Sequence, residues 1–165
     1  MSELRTNKIY PRDGLPAGSN GGIIQLKLNS SGTGTGGGGG AGYVSLTSTT
    51  FVDIGLEITI TPTNASNKMY MSFNLNANNA DGGTTADRLK VRIVRNGSSI
   101  WSIDEGLADY GSSNIHVQGI SGAYLDSPAT TSAITYKVQA ASSSSSNCTI
   151  NNNGISDFTV MEVSG

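Results

Sequence analysis

From Tyr43 to the C-terminus, apolar residues recur at every second position in short runs, and turn residues (Gly, Asn, Ser, Pro) separate those runs. Period-two alternation puts successive side chains on opposite faces of a strand, and turns about every ten residues predict an antiparallel sandwich or barrel. In 69–76 the set Met69, Met71, Phe73 and Leu75 forms one side, and Tyr70, Ser72, Asn74 and Asn76 the other. In 133–139 the apolar side is Ile134, Tyr136 and Val138. The run 56–61 alternates in the same way and stops at Pro62, which cannot donate a ladder hydrogen bond. Asn96-Gly97 separates 89–95 from 98–103 and predicts a two-residue hairpin turn, because both residues tolerate positive φ. Further strands are expected near 44–53, 115–124, 148–151 and 158–163, for roughly eight to ten in all and no helix. The expected core contains Met71, Phe73, Leu75, Val91, Ile93, Ile134, Tyr136, Val138, Phe158 and Val160.

Before Tyr43 the pattern is different. Residues 1–22 scatter Leu4, Ile9, Tyr10 and Leu15 among prolines and glycines with neither helical nor strand period. They read as an extended arm whose apolar side chains are buried only against another surface. Ile24, Leu26 and Leu28 share one face of a short strand and Gln25 and Lys27 the other, so this strand extends its own sheet or a neighbour's. A glycine-rich stretch from Gly32 to Gly42 follows, reaching roughly 18 Å as a coil and about 35 Å when extended. The expected division is an arm and linker over 1–42 and a sandwich head over 43–165, with Leu4, Ile9, Tyr10, Leu15, Ile24, Leu26 and Leu28 as partner-binding residues.

Composition narrows the function. Only 13% of residues are charged, so Ser, Thr, Asn and Gly must cover the surface. A net charge of -2 gives no footprint for nucleic acid, and Arg88, Lys90, Arg92 and Arg95 read as a solvated strand face. Cys148 is the one cysteine, which rules out an intrachain disulfide and a cysteine-based zinc site. No run is apolar enough to span a membrane, and residues 1–8 carry no apolar leader, so the expectation is folding in a cytosol. Asn29, Asn64, Asn96 and Asn147 begin N-x-Ser/Thr triplets, which a chain this rich in Asn, Ser and Thr produces by composition alone.

Catalytic chemistry finds few candidates. His116 is the one histidine and falls at an outward strand position, the reading being a sheet-surface histidine and not the base of a triad. Asp104, Glu105 and Asp109 lie together in an expected loop, 104–110, without the spacing of a calcium loop or the lined cleft of a glycosidase. The glycine run opens no helix and is not a phosphate loop. No catalytic residue, cofactor or metal site is assigned, and the chain reads as a non-enzymatic structural or binding module.

The opening 4–16 together with Gly21-Gly22-Ile23-Ile24-Gln25 resembles the N-terminal arm of small structural proteins of tailed phages, particularly those infecting cyanobacteria and other marine and freshwater bacteria. The segments 58–69, 94–97, 124–128, 134–138 and 160–163 are similar to the jelly-roll heads of phage fibre and head-decoration proteins. This resemblance implies an antiparallel jelly-roll sandwich, a homotrimer, and a place on the virion surface after assembly in the host cytoplasm. It implies the major capsid protein or a tail adaptor as partner, with a host surface glycan as a further one. A repetitive shaft is missing, which favours a capsid-decorating knob over a tail fibre or receptor-binding tip. A secreted carbohydrate-binding sandwich is the reading from another class.

Overall fold

The computed structural model describes residues 22–32, 42–79, 87–109, 116–143, 148–152 and 154–165, with the backbone alone at 79, 87, 105–109 and 116–118. Ten strands account for most of them: β1 (Ile23–Ser31), β2 (Val44–Leu46), β3 (Val52–Ile60), β4 (Lys68–Asn79), β5 (Asp87–Arg95), β6 (Ser98–Asp109), β7 (His116–Asp126), β8 (Ile134–Ser142), β9 (Cys148–Ile150) and β10 (Ser156–Val163). Among the described residues there is no helix. The expected strand near 44–53 is in fact two, β2 and β3, parted by a bend over Ser48, Thr49 and Thr50. The expected loop 104–110 also differs, since β6 runs on through Asp109 and pairs with β5 as far as Asp87. Tyr110 lies outside the described residues.

A six-stranded sheet contains β1, β10, β4, β9 and β2, with β7 on the other side of β4, and a four-stranded sheet has the order β3-β8-β5-β6. All pairings are antiparallel, and those of β1 with β10, β2 with β9, β3 with β8, β4 with β7 and β5 with β6 nest one inside another. A long hairpin folded over on itself gives this nesting, and its strands fall alternately into two facing sheets. That is the jelly-roll sandwich. All ten expected core residues are buried between the sheets, along with Ile54, Leu56, Ile60, Met69, Leu89 and Ile150. At Gly122, on β7, a side chain would lie 2.6 Å from the Phe73 ring and 2.9 Å from Trp101. The missing Cβ admits the edge-to-face pair of those two rings, whose centroids are 5.5 Å apart. The Asn96-Gly97 turn forms as expected, with φ of 48° and 87°, the positive pair that a tight hairpin needs.

Ile23–Ser31, which the sequence division assigns to the arm, pairs along β10 with one register shift between Ile23 and Gln25, so the sheet takes in this part of 1–42. On the far side of the glycine-rich stretch, β2 pairs with β9. Because β9 and β10 both pair with β4, β1 and β2 are consecutive lengths of one strand line. Gly32 and Gly42 meet where the stretch leaves and returns: a side chain at Gly42 (φ 81°) would lie 2.5 Å from the Gly32 nitrogen. Asn151 fastens the junction, its Nδ2 donating to the Gly42 carbonyl at 2.9 Å.

Candidate interaction surfaces

Of the partner-binding residues expected from sequence, Leu4, Ile9, Tyr10 and Leu15 lie outside the described residues. Ile24, Leu26 and Leu28 stand exposed on β1, at 44%, 54% and 61%. Their orientation is the reverse of an ordinary edge strand. Gln25, Lys27 and Asn29 occupy the inward positions, opposite the buried Glu162, Val160 and Phe158. Those polar side chains reach across to β3, the edge of the other sheet: Gln25 Nε2 donates to Thr61 O at 2.8 Å, Lys27 Nζ to Thr59 O at 2.7 Å and Asn29 Nδ2 to Glu57 O at 2.8 Å. Carbonyls on a free sheet edge need donors, and β1 supplies them by side chain. Its apolar face is thereby turned outward.

Register extends that face across the sheet. Leu26 pairs with Met161, Met161 with Tyr70, and Tyr70 with Leu125. These four outward positions form one transverse apolar row over β1, β10, β4 and β7, with Leu125 48% and Tyr70 38% exposed. The next row, Leu28, Thr159, Ser72 and Ala123, has smaller side chains apart from its leucine. Sequence reading placed Tyr70 outward but missed the row. Its only local signal is a large apolar residue on the polar side of a strand, and alignment across four strands needs the register.

The row lies at the end of the sheet where residue 22 enters. Gly22 and Ser164 exchange hydrogen bonds, Ser164 N to Gly22 O at 3.0 Å and Gly22 N to Ser164 Oγ at 3.2 Å. Behind them the fully buried Glu162 carboxylate accepts from Gln25 Nε2 at 2.5 Å, Asn67 Nδ2 at 2.6 Å, and the Thr63 amide and hydroxyl at 2.7 and 2.8 Å. Burial would raise its pKa, but the hydrogen bonds from Asn67, Gln25 and Thr63 outweigh it and hold the carboxyl down to about 2. One buried charge thus ties β1, β10 and the β3–β4 turn together.

The outer face of the four-stranded sheet is polar. Lys137 Nζ donates to Asp53 Oδ2 at 2.9 Å and to Glu57 Oε2 at 2.8 Å. These carboxylates, Glu57 first, push the lysine pKa up, while Gln139 and then Lys137 hold Asp53 below its usual range. Arg92 caps the Phe51 ring at 4.2 Å and donates to Gln139. The expected basic face is only part of the account for Arg88, Lys90, Arg92 and Arg95. Arg95 breaks the alternation and turns to the buried Asp126, its Nη1 lying 3.0 and 2.9 Å from the two carboxylate oxygens. Tyr136 donates to the same carboxylate at 2.7 Å, and burial followed by that bond raises its phenol pKa. Asp104 is exposed, Cys148 is buried in the core, and the side chains of Glu105, Asp109 and His116 lie outside the described ones. Among the described residues no helix is long and apolar enough to cross a membrane, and none forms a cluster of three His, Cys, Asp or Glu side chains that could hold a metal.

No family model matches the chain, and neither does any curated protein. Among solved structures, 86% of the chain is similar to 38% of a chain from the crystal structure of the T13 IBDV viral particle, at 10% identity and a TM-score of 0.41. It is also similar, over 90% of its length, to 14% of the chain of dimeric latent PorU from Porphyromonas gingivalis, at 11% identity and a TM-score of 0.41. The chain therefore spans well under half the length of either.

Proposed function

We propose that this chain is a non-enzymatic structural protein of a virion, a capsid-decorating homotrimer that its N-terminal arm holds to the particle. The observation that carries this reading is the exposed apolar row at the root of the arm. A row of this kind on an otherwise polar surface marks an association face. Covering one half-exposed leucine contributes on the order of 1 kcal/mol, so the row with Ile23, Ile24 and Leu28 gives roughly 7 kcal/mol. Association costs about 4–15 kcal/mol, so the sheet face makes contact but needs a second anchor. The scattered apolar residues of the arm, Leu4, Ile9, Tyr10 and Leu15, are suited to supply it. Resemblance to phage head-decoration proteins in the segments given above points the same way. The carboxylates with the best-defined partners, Asp53, Glu57, Asp126 and Glu162, all hold strands together, which fits a module without a reaction of its own.

The test is deletion of residues 1–21, which leaves β1 in place. The truncated protein should fold and melt like the full chain yet be absent from purified virions. Incorporation at the full-length copy number would overturn the arm as anchor. Hundreds of copies per particle fit decoration, whereas a handful would move the protein to a tail tip.

A further inference from the structure

On the outer face of the four-stranded sheet, away from the apolar row, lies a depression of about 410 Å³ lined by Asp53, Val94, Asn96, Gly97, Thr135, Lys137 and Gln139. Its size falls within the roughly 300–1,000 Å³ of small-ligand sites. All its residues sit on β3, β5 and β8 or on the Asn96-Gly97 turn, so strand pairing and not loop conformation sets its shape. Val94 is 2% exposed yet stands apart from the core cluster between the sheets. It lies beneath the depression and offers a ligand almost no surface, so the polar side chains form the accessible lining.

That lining is oriented in advance. Gln139 Nε2 donates to Asp53 Oδ1 at 2.6 Å while its Oε1 accepts from Arg92 Nε at 2.7 Å, which fixes the amide the right way round. Asn96 Oδ1 accepts the Thr135 amide at 2.9 Å, leaving both Asn96 N–H donors for a ligand. Lys137 uses two of its three donors on Asp53 and Glu57. The Asp53 carboxylate retains acceptor capacity beyond its two bonds. Donors and acceptors therefore alternate within one small area. Lys137 is matched by two carboxylates, which disfavours an anion, and with Arg92 it disfavours a cation.

We propose that this depression binds a neutral saccharide, with Asp53, Asn96, Lys137 and Gln139 holding its hydroxyls. The site stands independently of the virion reading, since sugar binding by the purified chain neither requires nor excludes it. The experiment is a two-dimensional amide NMR titration of the full chain with methyl glycosides of glucose, galactose, mannose and rhamnose and with N-acetylglucosamine. At least one of them, at up to roughly 50 mM, should saturate shifts centred on Val94, Asn96, Gly97, Thr135 and Lys137. Asn96→Asp keeps the acceptor and the turn but removes the two donors, and should weaken that binding about tenfold with the melting temperature unchanged. Asp53→Asn serves as a second variant and should weaken it likewise. Absence of shifts with all five probes, shifts centred elsewhere, or unaltered binding by both variants would overturn the proposal.

Discussion

At Glu162 a carboxylate occupies an inward strand position with no exposure, and four donor groups from Gln25, Thr63 and Asn67 surround it. Its folded pKa of about 2 lies below the ordinary 4.5, so the ionised form favours the fold. The contribution is present in full above pH 4.5 and is lost as pH falls toward 2. Thermal melts of the wild type should therefore drop between about pH 5 and about pH 2. Glu162→Gln should be less stable at neutral pH, by about 1–3 kcal/mol for each buried donor left unpaired, and should lose less on acidification. An unchanged acid dependence in that variant would assign the drop to other carboxylates. This site was only partly legible in the sequence. Period two from Phe158 and Val160 puts Glu162 on the inward side, but the donors that satisfy it come from Gln25, Thr63 and Asn67, distant segments that only the register brings together.

At the scale of elements, period-two alternation carried most of the information. It gave the buried sides of β4, β5, β8 and β10 and the turn between β5 and β6, since local side-chain alternation and positive-φ tolerance decide those features. It leaves open what a distant partner decides. In β1 the inward side is polar because the edge of β3 needs donors, and in β5 Arg95 turns inward because Asp126 waits at the end of β7. The glycine-rich stretch read as a linker between two bodies, yet it joins β1 to β2 along one strand line. From this follows a contrast between two truncations. Removing residues 1–21 should leave the melt unchanged, whereas removing 1–30 also takes nearly all of β1 with the Gln25–Glu162 bond and the donors to β3. The shorter protein should melt well below the longer one, and equal melting temperatures would mean that β1 adds nothing to the fold.

For the whole molecule, the two sandwich faces differ in character. The six-stranded sheet presents the row Leu26, Met161, Tyr70 and Leu125, while the four-stranded sheet presents charged and amide side chains bonded to one another. On the proposed reading a partner covers the first face and solvent meets the second. Sedimentation equilibrium of the purified chain at micromolar concentration, beside a variant carrying both Leu26→Lys and Leu125→Lys, tests this most directly. Both substitutions fall at positions about half exposed, so the variant should keep the wild-type melt. The account predicts a wild-type homotrimer and a folded variant that dissociates to monomers; a monomeric wild type, or a variant that remains fully associated, would contradict it.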